Sequence, residues 1–263
     1  MISIASLVYA YATGTTALRG VDLEIGDGEL VAIAGQNGAG KTTLVRHLNG
    51  IFTPTEGTVT VDGRNTAEHS TAQLAHTVGY VFQNPNQQLF ARTVRAEVEF
   101  GPRNLGHDEA RRTELVTWAL SATRLTDLAG QHPYHLSLAE RKRVALASVL
   151  AMDTPVVVLD EPTTGQDHAG VQDIAAIVAE LHERGKTVIA ITHDMDFCAE
   201  NFDRVVLMAD GRVVRDAPAR EAFAAPADIA AAAVEEPQML RLSNALGLPP
   251  AITVDQFVKE ISR

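Results

Sequence analysis

Short runs of apolar, often branched residues alternate along this chain with stretches whose apolar positions recur at helical spacing. Leu30 to Ala34 (LVAIA) and Val156 to Leu159 (VVVL) are continuously apolar, as central parallel strands covered on both faces must be. Val78 to Phe82 and Thr187 to Thr192 read as further strands that end on Gln83 and His193. Ile174, Ile177, Val178 and Leu181 repeat at i, i+3, i+4 and i+7, which predicts a helix that Gly185 is placed to close. Ile2 to Tyr9 and Leu18 to Ile25 predict an antiparallel pair, Gly57 to Val61 a strand turning at Asp62-Gly63, and Arg204 to Arg215 a hairpin over Asp210-Gly211. Between about residues 84 and 151 the texture is helical. Asp108 caps a segment with Leu115, Trp118, Ala119 and Ala122 at helical spacing, Trp118 being assigned to the core, and Ser137 with Glu140 has capping-box spacing. Strands alternating with helices, with polar residues collected at strand ends, predict a doubly wound α/β fold that carries a small helical insert.

One loop concentrates the chemistry. Gly35 to Thr43, GQNGAGKTT, fits G-x-x-x-x-G-K-[ST] between a predicted strand and a helix expected over Lys41 to Asn49. Backbone amides in such a loop cradle phosphates, Lys41 pairs with the β and γ oxygens, and the Thr42 hydroxyl suits magnesium. Ligands of α/β sheets bind beyond the carboxyl ends of the strands, where Asp160, Glu161 and His193 fall. Asp160 is placed to hold the same ion directly or through water, Glu161 to orient or deprotonate an attacking water, and His193 to meet the γ phosphate. Each has a plainer alternative: an acidic pair after a strand serves as a solvated turn, and a lone histidine is commonly structural. Tyr11, ahead of the loop, is a candidate to stack on a purine or is an exposed tyrosine without a ligand.

Composition narrows the partners. The 263 residues carry a formal net charge of −11, which argues against a surface that neutralises nucleic-acid phosphates. The single cysteine, Cys198, excludes an internal disulfide framework and suits a reducing compartment. No apolar run reaches the ~18 residues of a membrane span, and the first residues lack the basic region of a signal peptide. The chain reads as cytoplasmic, with any membrane association made through a partner.

These residues resemble those of the ATPase subunits of ABC transporters and, among them, the energy-coupling-factor ATPases that drive vitamin and transition-metal uptake. GQNGAGKTT is similar to the family's Walker A, VVVLDEP to its Walker B, Gln83 in VGYVFQNPNQQLF to its Q-loop, Gln166-Asp167 to its D-loop and THD around His193 to its switch histidine. The segment FQNPNQQLFARTVRAEVEFGPRNLG carries the resemblance to the energy-coupling-factor group. It implies a P-loop NTPase fold of the ABC type, with an antiparallel β subdomain and an inserted helical subdomain, over residues 1–220, and an extension over 221–263 that is either a dimerisation region or a packed terminal helix. The cofactors implied are ATP and Mg2+. ATP falls to Tyr11, Asn37, Gly38, Gly40, Lys41, Thr42 and Thr43, the ion to Thr42, Gln83 and Asp160, and catalysis to Glu161, His193 and Gln83. Ser137 would act in trans, on ATP held by a second ABC ATPase subunit, identical or not. The other partners implied are a transmembrane coupling subunit and a substrate-binding membrane subunit, which would hold the chain peripherally at the cytoplasmic face of the membrane. Glu97 and Glu99 are candidates to meet basic residues of the coupling subunit, or lie on a solvated helix face. A soluble ABC-type ATPase of DNA repair or translation is the competing class, but its long coiled-coil insertion or second cassette has no counterpart here.

One motif departs from the family. Its signature usually reads LSGGQ or LSGGE, whereas residues 136–140 read LSLAE. Side chains at Leu138 and Ala139 restrict positive φ and close backbone approach. Two readings follow, a tolerated variant or a weakened, even regulatory, subunit whose partner supplies a full signature.

Overall fold

The structure is a computed structural model that describes residues 1–262. The chain opens with β1 (Ile2–Ala10), β2 (Thr16–Ile25), β3 (Leu30–Ala34) and a short α1 (Lys41–Val45). Next come β4 (Glu56–Val61), β5 (Arg64–Asn65), α2 (Thr71–Leu74) and β6 (Val78–Val81), then the helices α3 (Val94–Asn104), α4 (Glu109–Ala122) and α5 (Leu138–Leu150). The second half runs β7 (Val156–Asp160), α6 (His168–Glu183), β8 (Thr187–Ile191), α7 (Met195–Asn201), β9 (Arg204–Ala209) and β10 (Arg212–Pro218). Four helices end it: α8 (Ala219–Phe223), α9 (Pro226–Ala232), α10 (Gln238–Leu246) and α11 (Val254–Ile261).

Two sheets result. The larger has the order β10-β9-β3-β8-β7-β6, parallel except for β10, and the smaller is antiparallel in the order β2-β1-β4-β5. The continuous apolar runs are explained by what lies on either side of the large sheet. Ala32, Val157, Leu159, Ala190 and Leu207 join a core with the helices. Their neighbours Ile33, Val156, Val158, Ile191 and Met208 face a second core closed by Ile2, Ile4, Leu7 and Ile25 of the small sheet. Successive side chains of a strand point to opposite faces, so a sheet clamped between two layers needs apolar residues at every position. The helices of the extension share the first core through Phe223, Ile229, Ala232, Leu240 and Ile252.

Caps and turns fall where the residue types demand. Asp108 accepts from the Arg111 amide at the start of α4, and Ser137 and Glu140 form a reciprocal capping box at the start of α5. Asp210 (φ 47°) and Gly211 (φ 77°) make the left-handed hairpin turn between β9 and β10. Two expectations are corrected. The helix after the phosphate loop ends at Val45, and residues 46–50 continue as tight turns with i→i+3 bonds such as His47 N–H to the Leu44 carbonyl. Trp118 is half-buried and not enclosed in the core. Its indole N–H donates to Glu180 at 2.6 Å, and the Arg184 guanidinium lies 3.9 Å from the ring centroid, so the side chain clasps α4 onto α6.

Candidate nucleotide site

The phosphate loop leaves the carboxyl end of β3 and returns as α1. Gly40 holds φ 100°, and a Cβ there would stand 2.8 Å from the Ala17 carbonyl, so only glycine fits the bend. Gly38 (φ 87°) has open space where its Cβ would be, room for a ligand to approach the backbone. Lys41 is buried, and its ammonium donates to the Gly35 carbonyl at 2.5 Å and to that of Gln36 at 3.0 Å. Burial pushes its pKa below the ordinary lysine value, against the opposing pull of Glu161 and Asp160. The loop is thus held from inside by the cation that phosphate oxygens would draw outward. Behind it the Gln36 amide donates to the Ala232 carbonyl of α9 at 2.8 Å, so the extension supports the loop directly.

An open cleft of about 340 Å³ lies over the loop, lined by Tyr11, Asn37, Gly38, Gly40, Lys41, Thr42, Thr43, Gln83 and Glu161. The fold thereby collects, from four separate segments, most of the residues expected to bind nucleotide. Tyr11 closes one end, its hydroxyl 2.7 Å from Thr43 Oγ1 and its ring edge-on to Tyr9 and Phe52. Gln83 is exposed at the other end, just beyond β6.

The acidic residues follow β7. Asp160 is 1% exposed, accepts from the Thr42 hydroxyl at 3.3 Å and from the Tyr80 hydroxyl at 2.7 Å. Burial raises its pKa above the ordinary carboxylate value, with the Tyr80 and Thr42 hydroxyls and the charges of Arg46 and Lys41 opposing. Glu161 adopts φ 54°, a left-handed conformation that costs a non-glycine residue about 1–3 kcal/mol and persists where neighbours hold it. Its amide donates to the Ile191 carbonyl at 2.8 Å, and its carboxylate lies 2.7 Å from His193 Nδ1 and accepts from Thr164 at 3.3 Å. The carboxylate is therefore aimed from both ends. With Nδ1 toward the carboxylate, Nε2 of the exposed His193 ring is free for a ligand.

Ser137 lies outside this cleft, at the N-terminus of α5, where its hydroxyl caps the Glu140 amide. The Glu140 carboxylate accepts from the Ser137 hydroxyl and amide, which lower its pKa. Leu138 and Ala139 form the first helical turn and hold right-handed φ, so in this chain the signature does not require glycine for its backbone shape. Glu97 corrects an expectation: it is 3% exposed, and its carboxylate accepts from the Phe90 and Ala91 amides at 2.8 and 2.6 Å, so its charge shapes a loop and does not lie on a solvated helix face. Glu99 remains half-exposed, 3.8 Å from Arg112. Cys198 is fully buried, and burial raises its thiol pKa well above the ordinary value, which removes it from nucleophilic chemistry.

Tyr80, Gln88 and Lys142 were not expected from the sequence. Gln88 accepts from the Phe82 amide at 3.1 Å and donates to the Ala145 carbonyl and Ser148, which braces the Gln83 loop on α5. The only sequence signal for it was the polar run NPNQQ after a strand. No group of three or more His, Cys, Asp or Glu fit to hold a metal occurs among the described residues. One carboxylate with a hydroxyl beside a phosphate cradle is instead the donor set that magnesium takes together with substrate phosphates.

Comparison with known proteins shows the family. The family model described as ABC transporter matches residues 18–164. An energy-coupling factor transporter ATP-binding protein of Methanocaldococcus jannaschii is 37% identical over 257 residues, 97% of this chain and 92% of the relative. The solved structure of cbiO1 from Clostridium perfringens, part of the ABC transporter complex cbiONQ, is 35% identical with a TM-score of 0.77, over 93% of this chain and 94% of that one. An ATP-binding cassette solved as a dimer in a post-hydrolysis state with ADP and Pi is 29% identical with a TM-score of 0.78, over 84% and 99%. Some curated relatives are longer: of three that are 40–42% identical, the chain spans 39–43% of the length. With a matching family model over a phosphate loop that has a buried aspartate hydrogen-bonded to it and a histidine-bound glutamate in its cleft, the chain belongs to the ABC transporter family as one of its ATP-hydrolysing subunits.

Proposed function

We propose that the chain energises an energy-coupling-factor type importer as one half of an ATPase dimer, in which each cleft is completed by the N-terminus of the partner's α5. The observation that carries the reading is Glu161, buried beside the phosphate loop in a left-handed turn with His193 on its carboxylate. ATP is held by the loop amides and Lys41, with the purine against Tyr11 once its ring turns from Thr43. Glu161 accepts a proton from the attacking water while His193 Nε2 and Gln83 meet the γ phosphate. Thr42, Asp160 and Gln83 would hold Mg2+, which when bound neutralises phosphate charge. Ser137 and the free amides of the α5 N-terminus would meet the partner's ATP.

No helix among the described residues is long and apolar enough to cross a membrane. In this reading the chain sits peripherally at the cytoplasmic face, held there by its membrane partners. A groove of about 240 Å³ beside the Gln83 loop, lined by Phe82, Phe90, Phe100 and Met152, suits an apolar helix of a transmembrane coupling subunit, and a separate membrane subunit would bind the vitamin or metal ion carried. Phe90 there is 62% exposed. In the extension, α10 and α11 leave Leu246, Val254, Val258 and Ile261 exposed, a face suited to the second ATPase subunit.

The test pairs chemistry with assembly. Glu161→Gln should bind ATP as tightly as wild type and lose most hydrolysis, and the tagged chain should bring a multi-spanning membrane protein out of detergent-solubilised host membranes. Wild-type turnover in the variant would remove Glu161 as the base, and recovery only with ribosomal or DNA-bound proteins would overturn the importer reading.

A further inference from the structure

Helix α5 meets the reaction machinery along its length as well as at its tip. In its first two turns the Ala139 carbonyl accepts from Gln166 at 3.4 Å and Arg141 donates to Asn86 of the Gln83 loop at 2.8 Å. One turn on from Leu138, the Lys142 ammonium crosses to the turn after β7, donating to the Thr164 carbonyl at 2.7 Å and lying 3.4 Å from that of Glu161. Those two carbonyls bracket the segment that carries the catalytic carboxylate. Lys142 is half-buried, so its bonds form where water competes poorly.

The need for such a brace follows from the backbone. Glu161 stands at φ 54°, outside the conformations that its Cβ favours. Three groups hold it on its other sides: the Ile191 carbonyl on its amide, and His193 and Thr164 on its carboxylate. Thr164 bonds the carboxylate through its hydroxyl while its carbonyl accepts from Lys142, so the lysine fixes the residue that in turn orients Glu161. An ammonium presents three donors from one point and can satisfy two carbonyls of a tight turn together.

We propose that Lys142 is a positioning residue for ATP hydrolysis: it pins the carbonyls of Glu161 and Thr164 to α5 and so keeps the Glu161 carboxylate directed into the cleft. The role rests on the assignment of Glu161 as the base. It does not depend on the importer or on its substrate. Burial pushes the Lys142 pKa below the ordinary lysine value, with the charges of Glu161 and Asp160 opposing, as expected for a cation enclosed beside these carboxylates.

A positioning role separates from general bracing by which kinetic constant moves. In the full chain, Lys142→Met should lower kcat by about ten-fold or more, the loss expected when an aiming contact to the base is removed, while KM for ATP and the affinity for a fluorescent ATP analogue change less than about two-fold. Lys142→Arg, which keeps the charge and the donors, should recover kcat to within about three-fold of wild type. Amide exchange over residues 161–166 should accelerate in the methionine variant and not in the arginine one. Glu161→Gln measured alongside reports on the base itself, so wild-type kcat in Lys142→Met beside an inactive Glu161→Gln overturns the Lys142 role alone. An arginine variant as slow as the methionine one, or a loss confined to ATP affinity, also overturns it.

Discussion

Tyr80 donates its phenol hydrogen to Asp160 across 2.7 Å, with both side chains buried. The bond crosses from β6 to β7, neighbouring parallel strands, at the point where the sheet meets the phosphate loop. Asp160 shares its other oxygen with Thr42, so the phenol fixes the plane of the carboxylate and leaves that oxygen directed at the hydroxyl.

Tyr80→Phe keeps the ring and removes the donor. The fold should survive, because the ring still packs 4.8 Å from Phe82. Outer-shell partners of metal-binding carboxylates contribute about ten-fold or more to metal affinity or activity. The Mg2+ concentration for half-maximal ATP turnover should therefore rise about ten-fold, and a titration of turnover against Mg2+ measures it. An unchanged midpoint would separate Asp160 from the ion.

Glu97 makes a different demand. Its carboxylate satisfies the amides of Phe90 and Ala91, and Glu97→Ala strands both in a half-buried loop. Hydrogen bonds to a charged group contribute about 1.5–3 kcal/mol, so urea denaturation should show a stability loss of about 2 kcal/mol. Exchange of the two amides should rise together. Turnover of the isolated chain should stay near wild type, because Glu97 touches none of the cleft residues, while coupling to a partner seated against Phe90 should weaken.

These two residues mark how far the sequence carries. The phosphate loop, Asp160, Glu161 and His193 were legible because each follows an apolar run and so lies at a strand's carboxyl end. Tyr80 was not, since a tyrosine in a strand reads as packing until the strand order puts Asp160 beside it. Glu97 reads from the sequence as a contact for basic residues of a coupling subunit or as part of a solvated helix face, and only the loop's return over α3 reveals two amides that offset its burial. Lys142 and Ala232 act on or through backbone carbonyls, which every residue owns and no motif records. The order of helices and strands was read from periodicity, while the early end of α1 was hidden because residues 46–49 hold no proline or glycine, so no stop signal precedes Gly50.

His47 links the loop to pH. It is fully buried, with Nδ1 2.8 Å from the Thr43 carbonyl, which assigns the proton to Nδ1, and with no partner for Nε2. Burial pushes its pKa below 6.5, with hydrogen bonds to the Thr43 and Leu44 backbone opposing. The folded chain thus keeps the ring neutral where the unfolded chain protonates it. Its contribution is complete above about pH 6.5 and is lost as pH falls from there toward the folded pKa. The melting temperature should drop more steeply between pH 7.5 and about 5 in wild type than in His47→Phe. Parallel slopes would exclude His47 as the source.

The altered signature is open to a direct test. Leu138 and Ala139 are helical, Leu138 is 49% exposed, and the cap at Ser137 is complete, so glycine at these positions relieves no strain in the chain itself. Glycine in a helix costs up to about 1 kcal/mol relative to alanine, through backbone entropy. The double substitution Leu138→Gly with Ala139→Gly should lower stability to urea by about 1–2 kcal/mol. If backbone shape is what the motif supplies, ATP turnover of the assembled dimer should stay within about three-fold of wild type. A rise of ten-fold or more would mean that the two side chains, and not the helix start, keep the partner's γ phosphate at a distance, and would assign this chain the weaker of two unequal sites.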